Sequence, residues 1–263
     1  MNETVLRLSI FAGALILFSS LEALFPRKRR NLPRKARWLT HLGITIIDSL
    51  AVRVLGPITA IATAVWASGN GIGVFNIIEW PFWLAVTLAF ILLDFAIYVQ
   101  HIISHRVPLF WRLHKVHHTD RDLDASSAVR FHPLEIILSM IYKCGIVLLI
   151  GPAALAVLIF EIVLNASAIF NHANLRLPIW LDKLLRLLIV TPDMHRVHHS
   201  VIDRETNRNF GFNFSIWDKL FGTYKAQPEA GHEGMTIGLS EHQSQDPSKL
   251  WWSLKLPFAK APK

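Results

Sequence analysis

The first half of the chain alternates long apolar runs with short polar ones, on a scale that suits a bilayer better than a soluble core. Val5 to Phe25 is about 21 mostly apolar residues, enough at ~1.5 Å per helical residue to cross a hydrocarbon layer of ~30 Å. Positive charge follows this run rather than preceding it, so the pattern predicts an uncleaved anchor and not a signal peptide. His41 to Trp66 reads as a second span, with Asp48, Arg53 and Pro57 predicting a protein-facing side or a kink. Ser68 to Gly73 is a Gly-rich turn, Trp80 and Trp83 suit an interfacial position, and Phe82 to Gln100 reads as a third span. Ile136 to Phe170 is too long for one simple crossing, and Gly151-Pro152 at its middle predicts a hairpin of two helices, spanning or re-entrant. The remaining segments, roughly 101–135 and 171–263, are polar. The predicted fold is an all-α polytopic membrane helix bundle, a single domain over 1–263. It has about four spanning helices, or two spans plus hairpins, and a cytoplasmic helical cap.

Composition agrees. Hydrophobic residues make up 52% and charged residues 17% of the 263, against about 25% charge in a soluble domain. The net charge of +8 at first suggests nucleic acid. Its placement argues against that partner: seven basic residues and no acid lie between Arg27 and Arg37, directly after an apolar run. Such a block marks a cytoplasmic membrane flank. With the first loop inside, the spans return His101, His105 and His172 to the cytoplasmic face. The single cysteine, Cys144, excludes an internal disulfide and any Cys-based zinc motif.

Histidine placement carries the chemistry. His101 and His105 are four apart, one helical turn on one face. His114, His117 and His118 follow the spacing i, i+3, i+4, and His195, His198 and His199 repeat it within the short echo His-x-Val-His-His. His172 stands alone in Asn171-His-Ala-Asn174. One such pair is a weak sign of metal, but three groups with chelating spacing are a strong one. A catalytic zinc takes three protein ligands and a structural zinc four, so eight or nine imidazoles imply two ions. Imidazole suits zinc, copper, iron and nickel alike, and leaves the metal open.

These boxes, with Leu109-Phe-Trp-Arg-Leu-His-Lys-Val-His-His118, Arg130-Phe-His-Pro-Leu-Glu135, Asn171-His-Ala-Asn174, Thr191-Pro, Asn209-Phe-Gly and Trp217-Asp-Lys-Leu-Phe-Gly-Thr223, resemble the fatty acid hydroxylase and sterol desaturase superfamily over about residues 90–225. The resemblance implies an integral membrane enzyme with two non-haem iron ions that uses dioxygen to hydroxylate a membrane lipid: a fatty acyl, ether-lipid or sterol-like substrate. It carries ligand roles to His101, His105, His114, His117, His118, His195, His198 and His199, and to His172 between boxes two and three. Asp94, His132, Asp193 and Asp203 are expected in a supporting shell that orients the rings, and Glu135 as a loop anchor. No flavin, haem or Rossmann signature is present, so electrons are expected from an external donor. Phe110, Trp111, Phe210, Phe212, Phe214 and Trp217 either line a lipid path or anchor the interface. Three rivals share the pattern: a desaturase on the same boxes, a non-redox zinc hydrolase, and a membrane metal transporter.

Overall fold

In the computed structural model, which describes residues 2–244 and 246–259, the described residues form helices and turns with no strand beyond isolated bridges such as Pro26–Leu175. The helices are α1 (Glu3–Leu24), α2 (Arg34–Val52), α3 (Ala60–Gly69), α4 (Val74–Ile77), α5 (Phe82–Arg106), α6 (Pro108–His118), α7 (Pro133–Ile150), α8 (Ala154–His172), α9 (Ile179–Leu185), α10 (Pro192–His198), α11 (Asp203–Thr206) and α12 (Ile216–Leu220), with α13 (Gly231–Gly234) and α14 (Leu250–Lys255) beyond. Among the described residues, five helical segments are long and apolar enough to cross a membrane: Glu3–Leu24, Arg34–Ile77, Phe82–Arg106, Pro133–Ile150 and Ala154–His172.

The second of these departs from the expected His41–Trp66 span. Its helix starts earlier, at Arg34, and stops at Val52, where a 3-10 turn over Arg53–Leu55 leads to Gly56 in the left-handed region at φ 61°. Pro57 follows and cannot donate to a continuing helix, so α3 restarts at Ala60. The early start places Arg37 on α2 rather than in a loop, and both Arg37 and His41 are buried there. The third span also runs further than Gln100, carrying His101 and His105 on its last two turns.

The expected hairpin forms. Gly151 ends α7 at φ 67°, and its amide donates to Val147 O at 2.8 Å, a left-handed cap that glycine adopts without steric cost. A Cβ there would lie 2.6 Å from Ile72 O and 2.9 Å from Gly73 Cα, so the hairpin tip and the turn before α4 meet backbone to backbone. Ala60 and Ala64 of α3 pack with Leu93 and Ile97 of α5, Val147 of α7, and Val157 and Phe160 of α8. Small residues on α3 allow this close approach in an apolar bundle.

Buried ion pairs tie the polar segments to the helix ends. Glu22, fully buried at the end of α1, accepts from the amides of Ala125 at 3.0 Å and Asn174 at 2.9 Å, and pairs with Arg34 at 2.9 Å and Arg30 at 3.2 Å. Arg37 donates to Asp120 at 2.7 and 2.8 Å and to Asp124 at 2.5 Å. Burial alone would raise the Asp120 carboxyl, but the Arg37 guanidinium beside it holds it well below the usual carboxylate range. Each ion has a matched partner, as a charge out of water requires.

Candidate metal centre

Four elements bring the histidines together. The last two turns of α5 carry His101 and His105, α6 carries His114, His117 and His118, the last residue of α8 is His172, and α10 with its C-cap carries His195, His198 and His199. Pro108 and Pro192 each occupy the first turn of their short helix, where a missing N–H costs nothing. Thr191 caps α10, its hydroxyl accepting from the Met194 amide at 3.4 Å.

The nine side chains resolve into two groups. His101, His105, His114, His118 and His198 form one, and His117, His172, His195 and His199 the other; within each, one nitrogen per ring lies within 4.8 Å of every other. The boxes interleave. Box two sends His114 and His118 to the first group and the residue between them, His117, to the second. Box three does the reverse, sending His195 and His199 to the second group and His198 to the first. All are buried except His105, which is partly exposed.

Protein groups fix several of these rings by one nitrogen. The Nδ1 atoms of His101, His172 and His198 lie 2.8, 2.7 and 2.8 Å from the carbonyls of Phe210, Ala168 and Arg208. His114 Nδ1 sits 2.6 Å from Glu135 Oε1, and His117 Nδ1 lies 3.3 Å from Arg130 O. A carbonyl or carboxylate only accepts, so each of these Nδ1 atoms carries the proton and Nε2 keeps a bare lone pair. The Nε2 atoms of His101, His114 and His198 find no hydrogen-bond partner among the described residues. In the second group His172 Nε2 lies 3.0 Å from His117 Nε2 and 3.0 Å from His195 Nε2. With both Nδ1 atoms protonated, the His172 and His117 lone pairs face one another and repel. A shared cation removes that repulsion, and nitrogens at ~2.0–2.1 Å from a common ion stand roughly 3 Å apart. The residues fit two metal ions on these grounds.

Burial also keeps the rings in the ligating form. Burial first, then neighbouring imidazoles, hold His117, His118, His195 and His199 well below the ordinary histidine value, and His198 is pushed down to about 3. A neutral imidazole is the metal ligand.

The residues expected around the ligands lie elsewhere. Asp94 does not reach a ring. Its carboxylate accepts from the amides of Asn213 and Phe214, both at 3.2 Å, and from Trp217 Nε1 at 2.8 Å. His132 caps α7, with Nδ1 accepting from the Leu134 amide at 3.2 Å and Nε2 facing Leu254 O at 3.2 Å, so both ring nitrogens are engaged by backbone. Asp193 pairs with Arg27 at 2.9 Å and Arg196 at 3.7 Å, joining the basic run to α10. Asp203 is exposed and bonds Asn207 at 2.9 Å. The carboxylate that does orient a ring is Glu135. Its signal was its place three residues after His132 and two after Pro133, at the start of a helix. The backbone carbonyls that hold four other rings leave no sequence mark.

Asp94 has a different task. It sits two helical turns before His101, ~10 Å further along α5, and the Phe214 ring packs still deeper, 5.8 Å from Phe90. The segment 210–217 therefore runs down beside α5 within the reach of the spans. Non-helical backbone is tolerated at such depth only if its polar groups are satisfied by protein. Asp94 takes the amides of 213 and 214, Asp218 takes those of Phe210 and Gly211 at 2.8 Å each, and Asn171 Nδ2 donates to Phe212 O at 2.7 Å. Asn209 enters this segment in the left-handed conformation, φ 53°, which an asparagine tolerates.

On the side away from the apolar helices, a cavity of about 240 Å³ is lined by His105, Trp111, Asp203, Asn207 and Glu241 among others. The Trp111 ring lies 4.9 Å from His105 and 5.4 Å from His118.

The comparison with known proteins agrees with this centre. The chain is similar to human (Homo sapiens) alkylglycerol monooxygenase, 32% identical over 153 residues that make up 56% of this chain and 32% of that protein. It is similar to ornithine lipid hydroxylase OlsE of Rhizobium tropici, 25% identical over 224 residues, 83% of this chain and 67% of that one. Cholesterol 25-hydroxylase of Rattus norvegicus is 26% identical over 146 residues, 55% of this chain and 48% of its own. The matched region thus spans about a third of the human protein and two thirds of the bacterial one. No solved structure matches the chain significantly. Residues 86–223, just over half of the sequence, match the fatty acid hydroxylase family and contain every histidine of both groups, so the chain belongs to the fatty acid hydroxylase family.

Proposed function

We propose that this protein is a membrane-bound di-iron enzyme that hydroxylates a membrane lipid with dioxygen. The observation that carries the reading is the pair of interleaved histidine groups at the ends of apolar helices, with Nδ1 tied off on His101, His114, His117, His172 and His198. Nine imidazoles in sets of five and four are more than one ion needs. The relatives named above are all called hydroxylases or monooxygenases, and their named substrates are lipids.

Two iron ions bound here would supply the redox chemistry that turns an unactivated C–H bond and dioxygen into an alcohol, a reaction side chains cannot perform alone. The protein's own groups hold and shield. His101, His105, His114, His118 and His198 would hold one ion, and His117, His172, His195 and His199 the other. Glu135 and the carbonyls of Phe210, Arg130, Ala168 and Arg208 fix ring orientation and keep each proton on Nδ1. Phe210, packed 5.5 Å from His101 and 5.1 Å from His105, covers one side of the first group. No redox cofactor motif lies in the chain, so an external donor supplies the electrons. The basic run Arg27–Arg37 favours a cytoplasmic position for the histidine end. Placement at helix ends, beside segments of irregular backbone, favours an enzyme over a transporter, whose sites lie near the bilayer midplane.

The test is purified protein loaded with iron, a chemical reductant and isotopically labelled dioxygen, presented with fatty acids, ether lipids, amino-acid lipids and sterols in vesicles. Labelled alcohol in one lipid class is the expected result. A dehydrogenated product without label would convert the reading to a desaturase. Bound metal with no oxygen consumption and no product from any class would overturn it.

A further inference from the structure

The re-entrant segment that Asp94 and Asp218 hold in place delivers one side chain to a singular position. The Phe212 ring centroid lies 5.8 Å from His101, in the five-histidine group, and 6.4 Å from His195, in the four-histidine group. Phe131 is the other phenylalanine that touches both groups, 6.1 Å from His114 and 4.4 Å from His117. The two differ in what lies behind them. Phe131 precedes α7, whereas Phe212 packs on two apolar clusters of the bundle. One comprises Ala60, Ala64, Leu93, Ile97, Val147, Val157 and Phe160; the other Ala125, Ala128, Ala168 and Ile169, with Phe11 and Phe18 of α1 beside it. Phe212 is thus the ring between the histidines and the hydrocarbon side of the molecule.

Its backbone has little freedom. The carbonyl of Phe212 is held by Asn171, the residue before His172, and the amides on either side by Asp218 and Asp94. Gly211, just before it, has no room for a side chain: a Cβ would lie 2.7 Å from Phe214 O and 2.8 Å from Asp218 Oδ2. The Phe212 side chain itself is half-buried, and a phenyl ring makes no hydrogen bond.

Resting on the proposed lipid hydroxylase, we propose that Phe212 is the specificity-determining residue of the site, the apolar wall across the seam of the two histidine groups that sets which carbon of the lipid is presented to them. An aromatic ring offers no hydrogen bond, so the part of the substrate that passes it is hydrocarbon, and the polar head stays outside. Because the backbone is fixed at both flanking amides, the size of the side chain alone sets how far a chain advances.

The experiment replaces Phe212 with Leu, Ala and Trp in the iron-loaded full chain and reads the position of the hydroxyl on acyl and alkyl chains of graded length. One methylene in an apolar pocket is worth about 10- to 200-fold in discrimination, so Phe212→Leu is expected to change the ratio of positional or chain-length products by about tenfold. Phe212→Trp is expected to shift it the opposite way. A ring that merely packs would lower yield without moving position. A second readout needs no turnover: lipids carrying a diazirine at successive carbons are photolysed in vesicles, and the crosslinked peptide is identified. Labelling of 209–217 by diazirines at a narrow range of carbons, moved by Phe212→Ala, is expected. Unchanged product position and unchanged crosslinks in variants that retain wild-type metal content would overturn the inference while leaving the hydroxylase reading intact. Crosslinks at 209–217 with no alcohol from the wild-type protein would mean that the lipid site stands and the hydroxylase reading fails.

Discussion

The two histidine groups are made from the same residue type and the same repeated spacing, yet they are unequal. Each takes an i, i+4 pair from one box and the intervening histidine from the other. To this shared set of three, α5 adds a pair, His101 and His105, while α8 adds a single ring, His172. The first group therefore has five rings, one of them, His105, partly exposed on a polar cavity of about 240 Å³. The second has four rings, all buried, with Nε2 atoms as close as 3.0 Å. A sealed site with four ligands has none to spare, whereas an open site with five has both redundancy and a route to solvent. The difference predicts two ions of unlike lability.

Removing one ligand from each group sharpens this most. His199→Ala leaves three rings in the sealed group and is expected to lower bound metal from two ions to about one per chain, with activity down by more than ~100-fold, since ligand loss exceeds the 10- to 100-fold typical of supporting residues. His105→Ala leaves four rings in the open group and is expected to keep more metal. Elemental analysis of both variants decides; equal losses would mean that the two groups act as one.

Acid is the next largest lever, and its sign follows from the buried rings. Ordinary histidine titrates near ~6.5, but burial keeps His117, His118, His195 and His199 neutral in the fold well below that. Below pH ~6.5 the unfolded chain takes up protons that the folded one refuses, so stability of the metal-free protein falls as pH falls, by up to ~1.4 kcal/mol per pH unit for each such ring. Thermal unfolding at pH 7.5, 6.5 and 5.5 measures it. With metal present, the open group is expected to release its ion before the unfolding transition and the sealed group only with it. Release in a single step at all three pH values would break the distinction.

Glu135→Gln probes the open group alone. The carboxylate holds the His114 proton on Nδ1 at 2.6 Å, and its neutral isostere is expected to weaken one of the two ions about 10- to 100-fold, read by competition with a chelator. A change in both ions would show that His114 communicates with the sealed group.

Much of this was legible in the chain and some was not, for physical reasons. Apolar run length marked α1, α5 and the α7–α8 hairpin, because a helix that faces lipid must be apolar for its whole length. The break between α2 and α3 falls at the kink that Arg53 and Pro57 predicted, but the helix starts seven residues before His41, because Arg37 looks like a loop residue until Asp120 and Asp124 are seen to neutralise it. Ring spacing gathered the box histidines, because i, i+3, i+4 is a property of one short helix. The partition into groups of five and four depends on how α6 and α10 face each other, which local sequence does not encode. Carboxylates were the weakest part of the reading. Asp94, Asp193 and Asp203 looked like ring partners by proximity in sequence, but two of them hold backbone or arginine, and Asp203 bonds only Asn207.

Asp94 gives the smallest effect and the most specific one. It touches no histidine, yet Asn213 and Phe214, whose amides it accepts, lie three and four residues after Phe210, whose carbonyl holds His101 Nδ1 at 2.8 Å. Asp94→Asn keeps the shape but exchanges one acceptor oxygen for a donor aimed at a backbone N–H. One buried amide is left unsatisfied, at a cost of about 1–3 kcal/mol. The loss is expected to appear as faster hydrogen exchange at 210–217 and a lower melting temperature. Because His101 belongs to the open group, metal affinity should fall a few-fold there, and the sealed group should keep its ion. Faster exchange in the segment with both ions equally weakened would instead mean that Phe212, which leans on a ring of each group, transmits the disturbance to both.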